Sequence, residues 1–539
     1  MISLAAAIHS SGGLRASRRP LARLLGVAPA ALLLGGLMAA WAGPLAAPVA
    51  AAAPTGVAAW SDSYVRQASV PTGVAEETAT AASNMAPDAA PPPAAGPRSV
   101  GTKAIEAEDA SPDTACTSSL AFGMTYQCSI DTPAETDTYT FSASAGDKAF
   151  VRMSTASSYL YPGLKLYAPD GTTKLCENTG LFLAEIASCT LPSTGTYSVQ
   201  ASDSSGGSNT GTYGIFVQRL NNPGNTTAIG LGHTISASID AVAETDSYTF
   251  AASAGDKAFV RMSTASSYLY PGVRLYGPDG TKLCDNSGLF LAEVASCSLP
   301  STGTYTVLAF DSDDGSHTGT YDLSIALPAT HLRVSVGVNP WPAGSSHSVT
   351  VTALDRHGNV ALGYRGTVHF TTSDSKGSVP TDYTFIGTDL GVHTFATTVS
   401  PRLTFKTAGT KSVTATDMAK STITGSKTVT VTPAAATHFK VSVAVNPWPV
   451  GSSHSVTVTA LDSYGNVATG YRGTIHFTTS DTKATVPADY AFTAADAGVH
   501  TFPTTISPKL TFKTAGSQWI RATDKKTSSI TGVQTVTVQ

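Results

Sequence analysis

The sequence predicts an all-β chain: four tandem β-sandwich domains behind an export signal and a disordered Ala/Pro-rich linker. Three observations predict it. Apolar residues alternate with polar ones between turn signals, the period-two mark of half-buried strands. Long segments recur, once at a spacing of 109 residues and again at 107. Charged residues make up only 13% of the 539 while Thr, Ser, Gly and Ala abound, against about a quarter charged in an average soluble domain. At roughly 100–200 residues per domain, the length itself asks for about three to five domains.

The first element is the export signal, residues 1–42. Arg15, Arg18, Arg19 and Arg23 precede an apolar run over 24–42, and Ala40-Trp41-Ala42 supplies the small-x-small pattern a signal peptidase needs. An uncleaved anchor is the alternative, since the run is about long enough to span a bilayer. The small residues that follow favour cleavage, so no membrane span is expected in the mature chain. Net charge is −4 and no Lys/Arg cluster follows Arg23, which leaves no docking patch for nucleic acid. Residues 43–102, as in "APDAAPPPAAGP", cannot bury a core and read as a disordered spacer.

Residues 103–222 and 223–328 are the first duplicated pair. "DTYTFSASAGDKAFVRMSTASSYLYPG" from Asp137 returns almost unchanged from Asp246. Alternation in Tyr139/Phe141, Leu164/Leu166, Tyr197/Val199 and Tyr213/Ile215/Val217, with turns at "PDG" and "STGTY", marks short antiparallel strands. Six cysteines accompany them. Cys176 and Cys189 recur as Cys284 and Cys297, each pair with twelve residues between, and Cys116 and Cys128 enclose eleven. With no Cys-x-x-Cys and no His at zinc-site spacing, three local disulfides are expected, which agrees with export to an oxidising compartment. The motif order Asp-x-Tyr-x-Phe, "AGD", "LKLYAPDG" and "GTYSV" resembles the bacterial pre-peptidase C-terminal domain. That resemblance covers both units and implies jelly-roll sandwiches of the kind appended to secreted peptidases, with collagen-binding modules among the relatives. Residues 1–102 are not expected to hold a peptidase domain.

Residues 329–433 and 434–539 are the second pair. "HLRVSVGVNPWPAGSSHSVTVTALDRHGNVALGYRGTVHFTTSD" from His331 returns from His438 as "HFKVSVAVNPWPVGSSHSVTVTALDSYGNVATGYRGTIHFTTSD". About seven strands in 105 residues fit an immunoglobulin-like sandwich. In the turns Asp355/Gly358/Asn359 and Asp462/Gly465/Asn466 Gly and Asn tolerate positive φ and the Asp can cap the turn. The pattern is similar to bacterial Ig-like repeats of the invasin and filamin type, without the cysteine pair of antibody domains. The "NPWP" elements at Trp341 and Trp448 are expected to wedge joints between domains.

A search for chemistry returns little. No Gly-x-Ser-x-Gly, His-Glu-x-x-His, Walker or dinucleotide motif occurs, and the Ser-His neighbours in "GSSHS" are expected on opposite faces of a strand. No enzyme is expected. Paired histidines (331/438, 347/454, 369/476, 393/500) follow from the duplication and read as core-edge caps. The one cofactor candidate is Ca²⁺ at Asp311, Asp313 and Asp314 in "DSDDGSHTGTYD", where hard oxygen ligands crowd one loop, with a polar hairpin turn as the plainer reading. Tyr159/Tyr161 and Tyr268/Tyr270 flank Leu160 and Leu269 and are expected to share one face of a strand, either as a platform for sugar rings or a peptide, or as core. The expected function is that of a secreted, non-catalytic surface protein adhering to an extracellular polysaccharide or protein, its repeats arranged as a rod that multiplies weak contacts. The alternatives are a purely structural stalk or envelope component, and the accessory of a separate secreted hydrolase.

Overall fold

The computed structural model describes residues 119–157 and 159–539; the export signal, the linker and Cys116 lie outside the described residues. The first sandwich has eight strands: β1 (Thr125–Ile130), β2 (Thr136–Ala143), β3 (Lys148–Ser154), β4 (Pro162–Tyr167), β5 (Lys174–Thr179), β6 (Leu183–Thr190), β7 (Gly195–Asp203) and β8 (Gly211–Arg219). They form two antiparallel sheets in the orders β1-β8-β3-β6 and β2-β7-β4-β5. First strand beside last and second beside seventh is the jelly-roll order. Tyr139, Phe141, Leu164, Leu166, Tyr197, Val199, Ile215 and Val217 face inward as their alternation demands, and all are buried in one core. The disulfide Cys176–Cys189 joins β5 to β6, the edge strands of opposite sheets, so it staples the sandwich at its rim. Its counterpart is Cys284–Cys297. Cys128 is also disulfide-bonded.

The second sandwich repeats the order and adds a short parallel strand, Thr227–Ala228. The third pairs a sheet of His331–Val336, Val349–Leu354 and Val392–Phe395 with one built on Thr367–Thr372, Gly409–Asp417 and Thr424–Thr432. The fourth does the same with His438–Val443, Val456–Leu461 and Val499–Phe502 against Thr474–Thr479, Gly516–Asp524 and Thr531–Val538. Each sandwich has its own apolar core. One expectation is corrected here. Trp341 and Trp448 do not wedge joints: both are fully buried in the cores of their own sandwiches, against Phe405 and Phe512. Backbone pairing of Trp341 with Val431, and of Trp448 with Val538, sends the ring inward. In the turn at 355–359 Gly358 takes the positive φ, and Asp355 caps it as expected, accepting from the N–H groups of His357 and Asn359.

Successive sandwiches are docked. Phe150, Phe216 and Leu220 of the first close on Tyr276, Leu308 and Phe310 of the second, while Glu185 pairs with Arg152 of its own sandwich and with Arg274 of the next. This explains the unbroken run Phe150-Val151-Arg152-Met153, buried throughout, because β3 has core on one face and a neighbour on the other. Burial draws the Arg152 guanidinium down to about 10. Between the second and third sandwiches Phe259 and Ala326 meet Leu362, and Arg356 makes a two-pronged pair with Asp256. Between the third and fourth, Tyr464 packs on the third core, Lys376 Nζ donates to the Tyr464 carbonyl at 2.8 Å, and Asn466 exchanges bonds with Lys406 and Ala408.

Several of the residues that distinguish the near-identical copies fall at these joints. Where the second sandwich has Leu308 and Phe310, the first has Gln200 and Ser202, half-exposed on a face that meets no neighbour among the described residues. Leu362 in the second joint corresponds to exposed Thr469, and joint-forming Tyr464 to His357.

Candidate functional site

The segment before β4 is a loop and not the strand face the sequence suggested. Leu160 pins it by burying itself in the core, at a gain of about 2 kcal/mol. The Tyr161 N–H bonds Asp203 at 3.2 Å. Tyr159 is thereby turned outward and is 73% exposed; Tyr268, its counterpart beside buried Leu269, is 72% exposed. Tyr161 and Tyr270 are half-buried, Tyr270 with its ring edge against His317. The core reading of the outer tyrosines is therefore excluded by their exposure, and the tyrosines of each pair differ in environment.

Beside each exposed tyrosine lies the turn that carries the chain from one sheet to the other between the two disulfide-linked edge strands, a feature missed in the sequence. The Thr155 N–H donates to the Phe182 carbonyl at 2.9 Å and the Gly180 N–H to the Pro162 carbonyl at 3.0 Å, so the turn is tied to both ends of the tyrosine loop. Thr264, Phe290, Gly288 and Pro271 repeat both bonds. Gly180 is required there, since a Cβ would meet the Leu183 carbonyl oxygen at 1.8 Å. The turn presents Leu181, 66% exposed, with Phe182; the second copy presents Leu289, also 66% exposed, with Phe290 and Leu291. The readable signal was Gly-Leu-Phe-Leu at a turn position between two cysteines, where polar residues are the rule. Each jelly roll thus carries an uncharged apolar tip of Tyr, Leu and Phe, held by a disulfide a few residues away.

The acidic loop at 311–317 is arranged otherwise than expected. Asp311 and Asp314 converge with His317, whose Nδ1 lies 3.3 Å from Asp311 Oδ2 and 3.1 Å from Asp314 Oδ1, while Asp313 points to solvent. Asp311 is buried and already accepts from the N–H groups of Tyr270 and Gly315. Calcium takes six to eight oxygen ligands, and two carboxylates with an imidazole are a poor match. The loop serves the first joint: Arg152 donates to the Asp311 carbonyl and Ser154 to that of Asp314.

The Ser-His stretch holds a contact that the sequence reading did not consider. Ser345 and His347, two apart, do meet, with Oγ to Nε2 at 3.0 Å, and Ser452 and His454 at 2.9 Å. Each serine donates its proton to a proline carbonyl at 2.6 Å and so accepts from the histidine. A nucleophile needs the reverse polarity. The repeated His393 and His500 stack on Tyr383 and Tyr490 and pair with Asp389 and Asp496, core-edge positions as expected. Among the described residues no helix is long and apolar enough to cross a membrane.

No family model and no curated protein matches the chain. Among solved structures, it is similar to the pre-peptidase C-terminal domain of a collagenase from Bacillus anthracis, at 22% identity and a TM-score of 0.17, over 20% of this chain and 98% of that one. It is similar to FdeC, an adhesin of Escherichia coli, at 17% identity and a TM-score of 0.25, over 56% of this chain and 98% of that one. A third is the Yersinia pseudotuberculosis adhesin InvE, at 18% identity and a TM-score of 0.19, over 39% of this chain and 60% of that one.

Proposed function

We propose that the chain is an exported, non-catalytic adhesive protein whose contact surfaces are the paired Tyr-Leu-Phe tips of its jelly rolls. The observation that carries this reading is the exposure of Tyr159, Leu181, Phe182 and their copies Tyr268, Leu289 and Phe290. Exposed leucine and aromatic side chains grouped on a tip raise the free energy in water and lower it when buried on a partner, and grouping of this kind marks interaction sites. Two tips on one chain act as linked weak sites, so the second engagement is intramolecular. Docked joints hold the two tips in a fixed relation, which lowers the entropy lost on double engagement. The purely structural stalk is the competing reading, and tips that bind nothing would favour it.

The test is retention of the exported chain on immobilised collagen, cellulose, chitin and peptidoglycan, wild type against Leu181→Ser/Phe182→Ser. Retention on one of them that falls more than twofold when a single tip is removed supports the proposal. Retention on none, or equal retention by the variant, overturns it.

A further inference from the structure

A second surface lies on the fourth sandwich, independent of the jelly-roll tips. On the outer face of its sheet, the strand Gly516–Asp524 carries Trp519 and Arg521, with the guanidinium carbon 5.0 Å above the indole ring. Val533, paired across from Arg521, is 53% exposed. The third sandwich, folded the same way, has Ser412, Thr414 and Ser426 at these three positions. Elsewhere in the chain, replacing a small polar residue by a large one between copies accompanies a docked neighbour, as with Ser202 and Phe310. Here Arg521 and Val533 stay exposed.

Arg521 has no carboxylate partner among the described residues, although Lys525 and His476 on the same face share Asp489. Residues 438–539 hold eight Lys and Arg against five Asp and no Glu, while residues 223–328 hold four against eleven Asp and Glu. We infer that Trp519 and Arg521 bind a carboxylate-bearing polysaccharide. A guanidinium offers a planar fork that grips a carboxylate with two hydrogen bonds, and the indole beneath fixes the fork's plane by cation–π stacking. The exposed threonines Thr478 and Thr535, cross-strand partners of Arg521 and Trp519, add hydroxyls on a flat face suited to a polyhydroxylated chain. An acidic peptide would bring its own backbone, and this face, with its sheet edges to the side, offers nothing to pair with it.

The experiment measures affinity of the full exported chain for polygalacturonate, its methyl ester, a neutral glucan and poly-glutamate. The variant is Trp519→Ser/Arg521→Thr, the residues the same fold already carries at 412 and 414, with thermal melting as the folding control. The expected result is binding to polygalacturonate alone, weakened about tenfold or more in the variant, as the loss of a charge-assisted pair implies. Installing Ser412→Trp/Thr414→Arg on the third sandwich should raise affinity. Unchanged binding by the variant, or absence of binding by the wild type, overturns the inference. Equal binding to poly-glutamate gives the site to acidic polypeptides, and salt-sensitive self-association abolished in the variant gives it to a second copy of the chain. Either result refutes the polysaccharide.

Discussion

Arg356 of the third sandwich grips Asp256 of the second with both prongs of its guanidinium, each nitrogen 2.9 Å from a different carboxylate oxygen. The turn that carries it, Asp-Arg-His-Gly-Asn, becomes Asp-Ser-Tyr-Gly-Asn in the next repeat. There the same turn meets a different neighbour, and Tyr464 fills the space left by Gly344, where even a methyl group would collide with its ring. One turn is thus fitted to two partners through two of its positions.

Arg356→Ser should loosen the second joint without unfolding either sandwich. Arg356 is about half-exposed and the pair is worth about 1 kcal/mol at most. Faster limited proteolysis near residue 328, with an unchanged melting temperature, is the expected outcome; a large drop in melting temperature would show that the pair supports a core.

Leu308→Gln/Phe310→Ser rewrites the second sandwich with the residues of the first. These side chains lie on the joint side of their strand, outside the second core. The change should therefore uncouple the first two sandwiches and remove about 3–5 kcal/mol of joint stability. Calorimetry should show their shared unfolding transition split in two, and a single unaltered transition would count against the joint.

The alternating positions were legible because one buried face imposes period two, and Tyr139, Phe141, Tyr197 and Val199 obeyed it. Phe150-Val151-Arg152-Met153 was not, because burial on both faces erases the period. Trp341 was misplaced because two flanking prolines say how the backbone runs and not which way the indole points. The contact of Ser345 with His347 was not legible because only sequence neighbours such as Ser346 and His347 were weighed, and the contact runs between positions two apart. The tips escaped notice because alternation counts apolar residues as core, and only the tie from Phe182 to Thr155 shows that this apolar turn is held outward.

Between pH 8 and pH 5 the two halves of the chain should respond differently, since the raised carboxyls among the described residues lie in the jelly rolls, whose Asp203 and Asp279 are lowered like the carboxyls of the Ig-like half. Burial raises Asp137 to about 6, even with a hydrogen bond from Tyr213, and raises Glu244 to about 7. A carboxyl with a raised folded-state value binds its proton more tightly folded than unfolded, so its stabilisation is complete below its ordinary value and lost as pH rises toward 6 or 7. In the Ig-like half, backbone N–H groups bonded to Asp481 hold it down at about 2 despite burial, and Asp374 and Asp462 are lowered likewise. Their stabilisation is present above about pH 4 and lost below it. Melting followed from pH 8 to pH 3 should show the jelly-roll transition rising to about pH 5 and the Ig-like transition falling below pH 4. Parallel movement of both between pH 8 and pH 5 would refute the assignment.

Reductant should separate the same halves. Cys176–Cys189 and Cys284–Cys297 each close a loop with a sequence separation of 13, which on the chain-entropy model is worth about 3 kcal/mol apiece, whereas the third and fourth sandwiches contain no cysteine. The jelly-roll transition should drop and the Ig-like one stay fixed. The consequence reaches the tips as well. Each disulfide ties the two strands that lead into the exposed Leu-Phe turn, so reduction frees the turn to lose its bonds to Thr155 and Pro162. Adhesion through the tips should then weaken at temperatures where the sandwiches are still folded. Tyr159→Ala, by contrast, should leave melting within about 0.5 kcal/mol of wild type because the ring is exposed, while Leu160→Ala should cost about 2–5 kcal/mol. A reduced, folded chain that binds as well as the oxidised one would mean that the tips do not need bracing, and the two disulfides would then serve stability alone.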